Sequence, residues 1–418
     1  MKVGVYSKKQ IPMEEENSQT GETKKAAEPE KSLKERLREL AMDKKLKICF
    51  ENTNVNFLIG SGLSCPYLST LSNIEDLLSK VELENESELK KCVIASIYKK
   101  FFENVIYPCK SVDSTSEDNV NNYIKTRLNY ADFIKILYNL IQRRKKVYGV
   151  ANAINIFTTN IDDFFEIGLE ESGVMWNSGF TGLRRPKFDE SNFSRSYSMT
   201  SRYYSRISEI PVFNLIKMHG SINWGSDGKD TKKIVYDNHL EILSSIHEKL
   251  SLIPEECFCK VSENVKVDDL YAEATTISPI AETYTQFLEE YEKLIIVNPT
   301  KKKFSTTVID SHFYELMRIY SNTLEKPNSV LFVHGFSFAD EHIAQLTMRA
   351  ANTNPTLQIY VFAYQEKEKT EIANRLGITN AELVNKNINI VSLPDAKLDF
   401  QNINILYDSI WEGEIRHD

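Results

Sequence analysis

Short apolar runs, each halted by glycine or by polar residues, punctuate the chain. Residues 55–59 read Val-Asn-Phe-Leu-Ile and stop at Gly60-Ser61-Gly62, the pattern of a buried parallel strand ending in a Gly-rich turn. Runs of the same kind recur at 154–158, 212–218, 293–297, 329–334, 357–363 and 388–392. Between many of them lie stretches with apolar residues at helical spacing, including 162–171, 308–324, 341–351 and 367–376. This alternation predicts an α/β fold: a Rossmann-like, doubly wound, mostly parallel sheet. A last helix-patterned segment at 400–411 completes it.

Two stretches interrupt the alternation. Residues 73–148 are helical in pattern, opened by a capping box at Ser72 and Glu75 and carrying Phe133, Ile136, Leu137, Leu140 and Ile141 at helical spacing. They predict a helical insertion after the first strand. Residues 225–279 are polar and weakly periodic, which suggests a mobile insertion or a partner surface. Residues 1–31 hold few large apolar side chains and read as a flexible tail, because they cannot bury enough surface to offset ordering entropy. Order is expected from Ser32, where a capping box with Glu35 precedes Leu33, Leu37, Leu40 and Met42. The expected organisation is one domain over 32–418 with these two insertions.

Composition narrows the function class. The 418 residues are 41% hydrophobic and 26% charged, as in a packed globular chain. With 51 Lys plus Arg against 59 Asp plus Glu, the net charge of -8 disfavours a dedicated nucleic-acid binder, which needs clustered cations. Apolar runs are too short to span a membrane and the polar N-terminus lacks a secretory pattern, so a cytoplasmic location is expected. Six scattered cysteines argue for reduced thiols rather than a disulfide scaffold. Arg143-Arg144-Lys145-Lys146 reads as a solvated helix end, and Lys301-Lys302-Lys303 as a solvated loop, with contact to a ligand's phosphates or to a partner as its alternative.

Candidate chemistry sits where the strands end. The glycines of Gly60-Ser61-Gly62-Leu63-Ser64 would let backbone amides approach a diphosphate, or serve only as a tight connection. Thr158-Thr159-Asn160-Ile161-Asp162 places polar side chains at a strand's carboxyl end, where open α/β sheets bind ligands; capping of the next helix is the alternative. Lys217-Met218-His219-Gly220-Ser221-Ile222-Asn223-Trp224 offers His219 as a base near neutral pH, or as a structural histidine, and the adjacent Gly220 would admit a close ligand. In His334-Gly335-Phe336-Ser337-Phe338-Ala339-Asp340, the turn could hold a phosphate or ribose hydroxyl, or Asp340 could cap the helix that follows. Four such turns on one sheet edge make a shared ligand site more credible than four separate structural roles.

The ordered set Gly-Ser-Gly-x-Ser, Thr-Thr-Asn-x-Asp, His-Gly and Gly-x-Ser resembles the sirtuin superfamily. The similarity is greatest to its bacterial sirtuin-like branch, with Gly60 to Ser64, Asn160 to Asp163 and Gly335 to Asp340 as the matching segments, and it spans roughly residues 50–345. The resemblance implies NAD as substrate and cleavage of its nicotinamide–ribose bond. It assigns Gly60, Ser61, Gly62, Ser64 and Thr159 to cofactor binding at the diphosphate and its surroundings, and Gly335 and Ser337 to the adenosine side. Asn160 and Asp162 would order the nicotinamide ribose and water, and His219 would act as base.

The departures from the family pattern decide the expected reaction. Deacylases of the family hold a structural zinc with two Cys-x-x-Cys pairs, where this chain offers only Cys257-Phe258-Cys259, so no zinc module and no metal are expected. Cys65-Pro66-Tyr67-Leu68 stands where deacylases carry Ile-Pro-Asp-Phe-Arg. With no acyl-lysine peptide to capture the ribosyl cation, water remains. The expectation is an NAD glycohydrolase of bacterial anti-phage defence, yielding nicotinamide and ADP-ribose or a cyclised form. Control by homo-oligomerisation or by a partner such as a HerA-type hexameric ATPase or a short Argonaute is implied. A zinc-free deacylase or ADP-ribosyltransferase, and a non-catalytic NAD sensor or scaffold for a DNA-processing partner, are the alternatives.

Overall fold

The computed structural model describes residues 31–70, 74–144, 149–203, 205, 207–227, 233–277, 280–297, 309–378 and 384–411. The N-terminal tail, Ser72 of the second capping box, Lys145, Lys146 and Lys301-Lys302-Lys303 lie outside them. Seven strands form the main sheet: β1 (Asn54–Ile59), β2 (Ala153–Thr158), β3 (Trp176–Asn177), β4 (Val212–Lys217), β5 (Ser329–His334), β6 (Gln358–Phe362) and β7 (Ile388–Val391). Their order is β7-β6-β5-β1-β2-β4-β3, and every neighbouring pair is parallel. The fold is therefore the doubly wound α/β class expected from the alternation of runs. Ile59 pairs with both His334 and Thr158, and Thr158 pairs with Lys217, so four strands end at one level. The strand order reverses between β1 and β5, which is where such sheets open a ligand crevice.

The apolar runs work because both faces are buried. Phe57 and Ile59 of β1, with Val330 and Phe332 of β5, face a core that also holds α1 (Leu33–Ala41), α2 (Lys44–Asn52), α5 (Glu117–Arg143), α6 (Phe164–Ser172) and α13 (Phe400–Asp408). Leu58, Leu331 and Val333 point to the other face, packed by α10 (Ile309–Leu324), α11 (Glu341–Thr353) and α12 (Glu366–Arg375). Successive residues thus alternate between two cores. The first capping box forms as expected, with Ser32 accepting from Glu35 N.

A third core belongs to a helical module of α3 (Ile74–Val81), α4 (Glu88–Phe101), α7 (Glu241–Ser251), α8 (Val267–Ala274) and α9 (Ala281–Tyr291). The two insertions read separately from sequence pack together here. The described part of 225–279, read from sequence as a mobile insertion or partner surface, supplies α7 and α8, whose buried Leu243, Ile246 and Leu270 join the core of α3 and α4. Conversely, the 27-residue α5 packs on the sheet, through Tyr130, Phe133, Ile134 and Leu137, rather than in the module.

The run 293–297 does not join the sheet. It makes a single antiparallel bridge between Ile296 and Gly220. Its alternation serves two cores at once, with Leu294 and Ile296 in the module and Ile295 and Val297 under the sheet. A further feature is polar: Asn56, Asn155, Asn214 and Asn177 are register partners on four adjacent strands. Asn155 Nδ2 donates to Asn56 Oδ1 and Asn214 Nδ2 to Asn155 Oδ1, both at 2.8 Å. A one-residue slip of any strand would strand these amides in an apolar layer, so the ladder specifies register.

Candidate active site

The four polar turns do converge, because the strands that carry them end in register. The turns after β1 and β5 are locked backbone to backbone. Gly60 N donates to His334 O at 3.0 Å and Gly62 N to Gly335 O at 3.1 Å. A Cβ on Gly60 would lie 2.4 Å from Gly335 O, and Gly335 itself holds a φ of +60° with Leu63 N 2.8 Å from where its Cβ would be. These glycines are required by the contact of the two turns. The amides of Leu63 and Ser64 also donate inside the turn, to Gly60 O and Ser61 O. Ser61, Gly62 and Ser337 are exposed on the edge, and Thr159 is half-buried there.

Ser64 faces inward. Only 1% exposed, its Oγ donates to Asp162 Oδ2 at 2.7 Å and lies 2.9 Å from the Tyr130 hydroxyl. A carboxylate only accepts, so the Ser64 proton goes to Asp162 and Tyr130 donates to Ser64. Asn160 Nδ2 donates to the same Ser64 oxygen at 3.2 Å and to Tyr130 at 3.3 Å. Tyr130, on α5, ties the β1 turn to the β2 turn, and burial holds its hydroxyl well above the usual phenol range. Asn160 is 5% exposed, and its Oδ1 has no hydrogen-bond partner among the described residues. This buried acceptor at the sheet edge is a polar atom in need of a donor.

Asp162 is likewise committed: Oδ2 receives Ser64, and Oδ1 receives Phe164 N at 3.3 Å at the start of α6. Burial pushes its carboxyl up, while Lys217 and the Ser64 bond pull it down. Lys217, at the end of β4, donates to the Asp162 carbonyl, to Glu166 Oε1 at 2.9 Å and to Ser221 Oγ at 2.9 Å. Neighbouring Asp163 is raised to about 7, first by burial and then by Glu166.

His219 stands on the next turn with its side chain 14% exposed, and its Nε2 is 3.1 Å from Asp340 Oδ2. Gly220 adopts φ +77° because Ile295 O would lie 2.1 Å from a Cβ there. Gly220 thus admits the 294–297 segment at close range, where the sequence suggested room for a ligand. Asp340 takes the capping role weighed from sequence, Oδ1 accepting from His342 N and Ile343 N at the start of α11, and adds one that was not, Oδ2 facing His219. His334 is a core residue, its Nε2 2.7 Å from the Tyr407 hydroxyl and its imidazole pulled down to about 3 by burial.

The structure therefore brings Asn160, Asp162, Ser64 and Gly60 to Gly62 together, and sets His219 beside Asp340 on the same edge. Sequence reasoning missed Tyr130 and Glu166. Tyr130 carried no signal, being one aromatic on an amphipathic helix; Lys217, at the end of an apolar strand, needed an anion and pointed to Glu166. Of two cavities of about 710 and 700 Å³, one lies between α5 and α13 and the other beside Phe338, Ala339 and Arg375, next to the turn after β5. Among the described residues no cluster of three His, Cys, Asp or Glu side chains is placed to hold a metal ion. No protein-family model and no curated protein matches the chain.

Proposed function

We propose that the protein is an NAD glycohydrolase that cleaves the nicotinamide–ribose bond and delivers ADP-ribose to water. The observation that carries this reading is the unpartnered, buried Asn160 Oδ1 on the same sheet edge as His219. An acceptor and a base on adjacent turns suit a ribose hydroxyl or an attacking water. The C–N bond breaks with its electron pair leaving on neutral nicotinamide, and the ribosyl cation is captured by water. His219 takes the proton released from that water or from the ribose hydroxyl. Asn160 orients the ribose through Oδ1. Ser64, bonded to Asp162, keeps Asn160 in place, and the exposed Ser61, Gly62 and Ser337 with the half-buried Thr159 line the edge for the rest of the dinucleotide.

Following the resemblance, the chain would act as a NAD-depleting effector in anti-phage defence, restrained by self-assembly or by an ATPase or Argonaute partner. The test is nicotinamide release from NAD, followed by chromatography, for the chain alone and with the product of the neighbouring gene. Asn160→Ala and His219→Ala should each lower turnover by about 10²-fold or more, with the fold retained. Undiminished turnover in both variants would sink the assignment.

A further inference from the structure

We propose that Asp340 is a positioning residue that fixes His219 as its Nε2–H tautomer, so that the base lone pair is on Nδ1. Its catalytic consequence rests on the glycohydrolase reading; the pairing itself rests on geometry. His219 Nε2 is buried, has no aligned hydrogen bond, and lies 3.1 Å from Asp340 Oδ2. A deprotonated Nε2 would aim its lone pair at an anionic oxygen in a site of low dielectric, which is repulsive. A protonated Nε2 converts the same contact into an attraction.

Asp340 is held through one carboxylate oxygen and His219 through its backbone. Asp340 Oδ1 is held by two amides at the start of α11, at 3.0 and 3.2 Å, which fixes the carboxylate plane and leaves Oδ2 toward the imidazole. The His219 carbonyl accepts from Val297 N at 2.9 Å, and the following Gly220 is clamped against Ile295. The backbone that carries the ring is thus fixed beside the 294–297 segment, with Nε2 toward the β5–α11 turn. When Nδ1 takes a proton in the reaction, the imidazolium forms beside a carboxylate already oriented to stabilise it.

The chemistry separates this role from helix capping, because serine and asparagine both cap well. In Asp340→Ser the cap oxygen stays and the carboxylate is gone. In Asp340→Asn an amide donor takes the place of Oδ2 and favours the opposite tautomer. The experiment is ¹⁵N NMR of the full-length chain with labelled histidine, His219 being assigned among the seven histidines by the loss of its signals in His219→Gln. The expected result is the Nε2–H pattern in the wild type, its loss in Asp340→Ser and its inversion in Asp340→Asn, with melting temperatures near wild type. For nicotinamide release, kcat should fall about 10²-fold in both variants with KM little changed. A wild-type Nδ1–H tautomer, or an Asp340→Ser protein with wild-type signals and kcat, overturns the proposal. If the wild type releases no nicotinamide even with its partner, the functional reading fails, and the nitrogen shifts still decide the tautomer.

Discussion

Replacing Lys217 with methionine removes the cation from a buried pair whose side chains are 3% and 5% accessible. The ammonium donates to three acceptors, the Asp162 carbonyl, Glu166 Oε1 and Ser221 Oγ. Glu166 Oε2 already lacks a partner, so without Lys217 neither oxygen of that carboxylate is paired by it. Breaking a buried pair from one side costs about 3–5 kcal/mol, since it strands a charge in low dielectric. Removing both charges, in Lys217→Met with Glu166→Leu, removes that penalty and leaves mainly the Asp162 carbonyl without its Lys217 donor, about 1–3 kcal/mol, since Ser221 Oγ keeps its bond to Ile161 O. A double-mutant cycle by urea denaturation should therefore show a coupling of about 2 kcal/mol or more. Additive effects, or a single-mutant loss below about 1 kcal/mol, would refute the reasoning that this pair clamps the β2 and β4 turns together.

Two further outcomes are expected. His334 is pulled down to about 3 inside the fold, so between its unfolded value near 6.5 and pH 3 the native state binds fewer protons than the unfolded state. Its contribution is complete above about pH 6.5 and is lost as pH falls, by up to about 4–5 kcal/mol; melting curves of the wild type and His334→Gln should diverge in shape across that window, and parallel curves would remove His334 from the account. Gly335→Ala should be at least about 2 kcal/mol more destabilising than Gly173→Ala. Both sites have positive φ, but a Cβ at Gly173 meets nothing within 4 Å, whereas at Gly335 it meets Leu63 N; equal losses in thermal melts would show that the contact between the two turns carries no constraint.

The strands and their terminal turns were legible because a parallel strand buried on both faces is a short apolar run, and the polar residue that ends it marks the sheet edge. Residues 329–334 were read to their observed bounds for that reason. Less legible was anything that depends on two distant segments meeting. The module helices α7, α8 and α9 have apolar faces that make sense only against α3 and α4. The asparagines at 56, 155 and 214 stood inside runs read as apolar, and only their register reveals a ladder. The glycines were seen as openings for a ligand, yet Gly60 and Gly220 are filled by Gly335 and Ile295 of the protein's own backbone. A sequence shows that a close approach is needed, not what approaches.

That distinction explains how the edge is held on its two sides. On the β1–β5 side the turns are fixed by direct backbone bonds through glycine, which admits little adjustment. On the β2–β4 side Ile222 N donates to Ile161 O at 3.0 Å, joining the Asn160 and His219 turns to each other. Each turn then sends one apolar side chain, Ile161 or Ile222, into the core of the helical module. Burial of two such residues is worth about 3–6 kcal/mol, comparable to the cost of breaking the Lys217–Glu166 pair from one side. Val297, whose amide holds the His219 carbonyl, follows Ile296 of that same core. The positions of Asn160 and His219 are therefore set by the packing of the module as much as by the sheet. A helical layer that bears no side chain of the proposed chemistry still determines whether the acceptor and the base stand at their working separation.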